Sequence, residues 1–236
     1  MENNEIRLPS GYGIYEEQGN EMLGRARKEE FNIKNRSFLT VDKYFSQEIS
    51  GTISEFLGKY PNRKIQVLDL AGGMESQAVK DIVRIKEYGD RVKALNVDFA
   101  QNVEKGKGAH RVQGDAANIP LADSSVDIVY SRQFLPFIRN LNLVNREHVL
   151  QVKKVLSEVA RVLKPGGIAF IDDEEELSGP KSDKKRRELA EEFGVVLQNR
   201  DSTNQTLENG KFPNFWNKNV RPQKFLVMRK PEIKKG

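Results

Sequence analysis

Between Glu21 and Tyr60 the chain reads mostly as helix, because Phe38, Val41, Phe45, Ile49, Ile53 and Phe56-Leu57 recur at spacings of three and four. Pro61-Asn62 ends that run. Residues 1–20 are polar and rich in Gly and Asn, which predicts a loose arm. The pattern then changes to short apolar runs separated by helical ones. Ile65-Gln66-Val67-Leu68-Asp69-Leu70 predicts a first strand, and Val92-Lys93-Ala94-Leu95-Asn96-Val97-Asp98 a second. His110-Arg111-Val112-Gln113-Gly114 predicts a short third strand and Val126-Asp127-Ile128-Val129-Tyr130 a fourth. Ile168-Ala169-Phe170-Ile171 predicts the fifth, Val195-Val196-Leu197 the sixth and Phe225-Leu226-Val227-Met228 the seventh. Ala78, Val79, Ile82, Val83 and Ile85 mark one helix between them. Val152, Val155, Leu156, Val159, Val162 and Leu163 mark another, which Lys164-Pro165-Gly166-Gly167 should stop. Arg187–Phe193 continues a further helix.

Strands alternating with helices predict an α/β fold with a parallel sheet covered on both faces. The strands are continuously apolar, as expected when neither face meets water. The last two strands have no obvious helix between them, so an antiparallel hairpin is expected at one edge. The charge block from Asp173 to Arg187 reads as an exposed loop entering a helix. No internal repeat is present.

Composition narrows the chemistry. The 236 residues are 37% hydrophobic and 31% charged, enough apolar material for one core. No stretch reaches the roughly 20 apolar residues of a spanning helix, and no secretory signal is read at the start. A cytoplasmic protein without membrane association is expected. Cysteine is absent, which excludes disulfides, cysteine zinc sites, iron–sulfur clusters and a thiolate nucleophile. His110 and His148 are the only histidines, so a three-histidine metal site is excluded and no metal is expected. The formal charge of +5 is local: residues 217–236 hold seven basic side chains and one acidic, and the rest of the chain carries −1. A basic tail can attract phosphates, so a nucleic-acid partner stays open on charge alone.

In an open α/β sheet, ligands bind beyond the carboxyl ends of the strands, near the point where strand order reverses. Four strand ends carry candidate chemistry. After the first strand, Asp69-Leu70-Ala71-Gly72-Gly73 offers a turn where a ligand can approach backbone without a Cβ in the way, and the next helix offers N–H groups to a carboxylate. Asp98 ends the second strand and can accept bonds from ribose hydroxyls. Asp115 and Ala116 follow the third, where a carboxylate can take a bond from an exocyclic amine such as that of adenine. Ser131, Arg132 and Gln133 follow the fourth and would face a ligand's reacting end. Each alone has a plainer reading as a turn or a helix cap; together they stand in chain order at successive strand ends.

At these residues the sequence resembles a class I S-adenosylmethionine-dependent methyltransferase over roughly residues 40–230. The resemblance rests on Val67-Leu68-Asp69-Leu70-Ala71-Gly72-Gly73, Asn96-Val97-Asp98-Phe99, Gly114 through Leu121, Val126 through Ser131, and Leu156 through Gly167. It implies a Rossmann-like, doubly wound seven-stranded sheet, mostly parallel with an antiparallel C-terminal edge. It implies S-adenosylmethionine as cofactor and S-adenosylhomocysteine as product. Asp69, Ala71, Gly72 and Gly73 would pass under the methionine part. Asp98 would hold the ribose with Phe99 beside the adenine, Asp115 and Ala116 would recognise the adenine, and Ser131 and Gln133 would line the mouth between donor and acceptor. Residues 1–60 would form a helical segment contributing to a substrate lid, 61–230 the cofactor-binding domain and 231–236 a basic tail. The first loop glycine of the family is Ala71 here and the third is Glu75. An alanine suits the first position if its φ stays negative. Glu75 would repel the cofactor if it stood near the cofactor's carboxylate and attract it if it stood near the sulfonium.

The expected acceptor is a small molecule, walled by Tyr12, Tyr15, Phe31 and Phe38, by the 131–148 connection and by the region of Phe212, Phe215 and Trp216. An RNA or protein acceptor using the basic tail is the alternative, as is a non-catalytic binding protein. A nicotinamide dehydrogenase would require Gly-x-Gly-x-x-Gly, where Met74 and Gln77 stand instead. Base methylation through a cysteine adduct is excluded. No catalytic base is assigned; His148 is a candidate and His110 looks structural. The oligomeric state is not legible.

Overall fold

The protein is described by a computed structural model at residues 37–72, 76–98, 111–132, 147–172, 182–201 and 224–233. Seven strands form one sheet: β1 (Ile65–Leu70), β2 (Val92–Asp98), β3 (Arg111–Gln113), β4 (Val126–Ser131), β5 (Leu163–Asp172), β6 (Val196–Asp201) and β7 (Lys224–Arg229). Their order is β3-β2-β1-β4-β5-β7-β6. β1, β2, β3, β4 and β5 pair in parallel, whereas β7 is antiparallel to both β5 and β6. The expected hairpin is present, with β6 as the outer strand. The chain winds outward from β1 to β3 and then returns to β4 on the other side, so strand order reverses between β1 and β4. Their carboxyl ends frame the crevice where this topology accepts ligands.

The inner strands bury both faces, and their residues divide alternately between two cores, whereas the edge strands β3 and β6 stay partly exposed. Leu68, Leu70, Val97, Val129, Ala169, Ile171, Leu226 and Met228 pack under α4 (Glu147–Val162) and α5 (Asp183–Phe193). Val67, Ala94, Ile128, Tyr130, Ile168, Phe170, Phe225 and Val227 pack under α1 (Phe38–Tyr44), α2 (Glu48–Lys59) and α3 (Gln77–Ile82). Phe45 sets its ring 5.2 Å from Phe225, edge to face. Residues 38–59 thus form a layer of the same core as the sheet. Phe38, offered above as an acceptor wall, is buried within that layer. Its N–H donates to Asp81 Oδ2 of α3 at 2.9 Å, tying the start of α1 to the helix that follows the first strand's turn.

The helix-stop reading of Lys164-Pro165-Gly166-Gly167 holds only in part. The helix ends at Val162, but strand β5 already begins at Leu163. The register shifts between Val126 and Ile128, and Gly166 takes φ +80°. A glycine in that left-handed region lets the chain pass from helix to strand through a bulge, where a proline is tolerated. Gly166 N–H donates to Lys230 O and Lys230 N–H to Gly167 O, extending the pairing with the C-terminal segment.

Charges at this amino end of the parallel strands are structural. Asp127, 1% exposed, accepts from Arg63 at 2.6 Å, from Lys164 at 2.7 Å and from the N–H of Gln66 at 2.8 Å. Lys230 donates to the carbonyls of Ala160 (2.9 Å) and Leu163 (2.8 Å), satisfying the end of α4. Burial lowers the Lys230 pKa from its ordinary value. Lys230, a cation of the basic C-terminal stretch, therefore belongs to the fold.

Candidate functional site

The site is built where the carboxyl ends of β1, β2, β3 and β4 meet. β1 ends at Leu70, and Ala71 N–H still donates to Val97 O at 2.8 Å, one step past the strand. There the chain turns sharply. Ala71 has φ +60°, the left-handed region that disfavours residues with a Cβ. The condition under which an alanine suits this position is therefore not met, and the family's glycine would sit there without strain. Gly72 follows in a tight cradle. A Cβ at Gly72 would lie 2.3 Å from Asp69 Oδ2 and 2.7 Å from Asn96 Oδ1. The glycine here is a steric requirement of this chain. Asp69 is buried beneath it.

Asp98, 8% exposed, closes β2. Its main-chain carbonyl accepts from Gly114 N–H at 2.9 Å, and it pairs with Gln113 of β3. Asp115 stands two residues beyond Gln113, so both carboxylate residues sit at adjoining strand ends. Asp115 shapes its own turn: Oδ1 accepts from Ala117 N–H at 2.8 Å and its carbonyl accepts from Asn118 N–H at 2.9 Å. Ala116 is buried against the core cluster of Ile119 and Leu156.

The segment carrying Asp115 is fastened from below by α4. Glu158 Oε2 accepts from Ile119 N–H at 2.8 Å, while Arg161 donates to the carbonyls of Ile119 and Leu121 and to Asp123. Arg161 also pairs with Glu158 at 2.7 Å. The Arg161 guanidinium, helped by the Ile119 N–H, holds the Glu158 carboxyl below its ordinary range. The pair in turn raises the pKa of Arg161.

Ser131 is the last residue of β4, fully buried, and its Oγ has no hydrogen-bond partner among the described residues. A buried hydroxyl in that condition marks a place where a ligand group can complete the bonding. Asp172 closes β5 nearby, 3% exposed, and Arg132 lies over the Tyr44 ring at 4.9 Å. The rim thus gathers Asp69, Asp98, Asp115 and Asp172, acceptor-only groups when ionised. They suit hydroxyls, an amine or a cation.

Of the residues expected from sequence, Asp69, Ala71, Gly72, Asp98, Asp115, Ala116 and Ser131 come together along this rim. Gly73, Phe99 and Gln133 lie outside the described residues, as do Glu75, His110 and the aromatics of the arm and of residues 212–216; the side chain of His148 does too. Sequence reasoning missed Asn96, Ser76 and Asp172. Asn96 is fully buried; its Oδ1 accepts from Gly72 N–H at 3.0 Å and its Nδ2 donates to Ser76 Oγ at 2.6 Å. The signal was available: a polar residue inside an apolar strand, on the same side as Asp98 two residues on. A cavity of about 260 Å³ lies elsewhere, at the amino end of the sheet between α4, α5 and Lys230.

Residues 68–171 match the family described as the methyltransferase domain. The match begins in β1 and ends in β5, so it spans the whole rim. These residues are similar to a methyltransferase domain. Among curated proteins, the biotin biosynthesis bifunctional protein BioHC of Cellvibrio japonicus is 36% identical over 88 residues, which cover 35% of this chain and 15% of that one. The chain therefore matches only a small part of that relative's length. Among solved structures, a TehB-like SAM-dependent methyltransferase from Corynebacterium glutamicum matches with a TM-score of 0.47 and 12% identity, covering 92% of this chain and 99% of the other. Phosphoethanolamine N-methyltransferase 2 of Haemonchus contortus, solved with S-adenosylhomocysteine, matches with a TM-score of 0.39 and 19% identity, covering 64% and 38%. Among the described residues no helix is long and apolar enough to cross a membrane.

Proposed function

We propose that the protein binds S-adenosylmethionine along the rim from β1 to β4 and directs its methyl group to a small-molecule acceptor. The observation that carries this reading is the adjacency of Asp98 and Asp115 on neighbouring strand ends, beside the Gly72 turn and the Ser131 hydroxyl, which has no partner among the described residues. S-adenosylmethionine, when bound, supplies a methyl already activated on a sulfonium. The chain's own task is to bind, align and dry the reacting groups. Asp98 would accept from the ribose hydroxyls and Asp115 from the adenine amine. Gly72, whose missing Cβ is required by Asp69 and Asn96, would present its backbone to the methionine part. Ser131 would bond to the ligand near its reacting end. Phe99, Gly73 and Gln133 complete the proposed contacts. No side chain is assigned as a base, and none is needed unless the acceptor must lose a proton.

A small acceptor is favoured over a nucleic acid because the chain outside residues 217–236 carries a net charge of −1 and Lys230 of that stretch is used in the fold. The matched relative is named for the biosynthesis of a small molecule. A cytoplasmic setting is part of the proposal, on the polar composition. The test is a thermal-shift comparison of S-adenosylhomocysteine with NAD. A ligand at 100 times its dissociation constant stabilises by about 2.7 kcal/mol. In a chain of this size that raises the midpoint by about 5–11 °C. A rise with S-adenosylhomocysteine alone is the expected result; a rise with NAD alone, or with neither, contradicts the proposal.

A further inference from the structure

We infer that Asn96 is a positioning residue for the cofactor site: its side-chain amide clasps Gly72 and Ser76, the two ends of the turn that receives S-adenosylmethionine. The inference rests on the cofactor reading above. Asn96 reaches one end through Oδ1, which accepts from Gly72 N–H at 3.0 Å, and the other through Nδ2, which donates to Ser76 Oγ at 2.6 Å. The orientation of the amide is fixed by its partners, since a backbone N–H can only donate and so must face the oxygen. Asn96 is fully buried and Ser76 is 1% exposed, so water does not compete for these bonds.

The turn needs such a clasp. Ala71 has φ +60° and Ser76 has φ +48°, left-handed conformations that residues with a Cβ keep only when their surroundings hold them there. Glycines would adopt these angles unaided. Asn96 stands between both positions, anchored in the middle of a central strand paired with β1 on one side and β3 on the other. It also forms one wall of the Gly72 cradle. Removing its amide would take away the side-chain link that joins the Gly72 N–H to the Ser76 hydroxyl.

Calorimetric titration with S-adenosylhomocysteine of the wild type, Asn96→Ala, Ser76→Ala and the double variant tests this. The dissociation constant refers to folded molecules, so measured well below each melting temperature it is not moved by stability alone. Asn96→Ala is expected to weaken binding about tenfold or more, and Ser76→Ala about threefold or more. The double variant should resemble Asn96→Ala, because both bonds pass through Asn96. If folded Asn96→Ala binds within twofold of wild type, the inference is overturned. If Asn96→Ala does not fold, Ser76→Ala decides: weakened binding supports the clasp and unchanged binding overturns it. A wild type that does not bind at all overturns the cofactor reading itself, and the clasp with it; a binding wild type with indifferent variants overturns the clasp alone.

Discussion

Replacing Gly72 with alanine should be among the most damaging single changes in the protein, and the cost can be worked from the cradle. The new Cβ would lie 2.3 Å from Asp69 Oδ2, 2.5 Å from its Cγ and 2.7 Å from Asn96 Oδ1. Both neighbours are buried, so neither can swing into water. Overpacking of this kind costs about 1–3 kcal/mol. Displacing Asn96 also breaks its bond to the Gly72 N–H, and a buried donor left unpaired costs about 1–3 kcal/mol more. The alanine restricts the unfolded chain, which returns about 0.4–1 kcal/mol. The net loss is about 1–5.6 kcal/mol, or about 2–22 °C of melting temperature in a chain of this length. Its neighbour supplies the control. Ala71→Gly relieves about 1–2 kcal/mol of left-handed strain. It gives up about 0.4–1 kcal/mol of unfolded-state restriction and about 0.4 kcal/mol of methyl burial. The balance runs from about 0.4 kcal/mol destabilising to about 1.2 kcal/mol stabilising. Urea and thermal unfolding of both variants decides. A neutral Gly72→Ala, or an Ala71→Gly more damaging than Gly72→Ala, would refute the turn geometry.

Three further outcomes follow from the same structure. Asp98→Ala should weaken S-adenosylhomocysteine binding by about 1.5–3 kcal/mol, as for a lost charged hydrogen bond, and unchanged calorimetric binding would remove Asp98 from the site. Asp127→Ala should cost at least about 2 kcal/mol in urea unfolding, because Arg63, Lys164 and the Gln66 N–H all lose a buried acceptor; a loss under about 0.5 kcal/mol would show that the partners turn to water without penalty. The folded-state pKa of Glu158 is lowered by Arg161. Its contribution is therefore present above the ordinary value of 4.5 and fades as pH falls through the lower folded value. The stability gap between wild type and Glu158→Gln should shrink on acidification below that value, and a gap that widens would contradict the assignment.

The sheet was legible because its strands are marked by apolar runs of three to seven residues punctuated by glycine, proline and charge. The hairpin was legible because no helical period separates the last two strands. Strand-end carboxylates such as Asp98 and Asp115 could be picked out because the topology puts function at strand ends. What escaped depended on conformation or on contacts distant in sequence. The left-handed φ of Ala71 is set by the turn as a whole and leaves no mark in composition. The clasp joins Asn96 to Ser76 across 20 positions, between residue types that usually face water. Leu163 to Gly167 carried a strong helix-stop signal, yet pairing with β4 and with Lys230 draws this stretch into β5. Glu158 and Arg161 sat on the exposed side of a periodic helix, and only the folded chain shows them fastening the Asp115 segment.

The most direct measurement is an experimental structure of the protein with S-adenosylhomocysteine. The nucleoside should lie with its ribose against Asp98 and its adenine beside Asp115 and Ala116, and its sulfur end should lie over Gly72 toward Ser131. A saturated crystal or solution complex in which the ligand sits away from those strand ends would contradict the account.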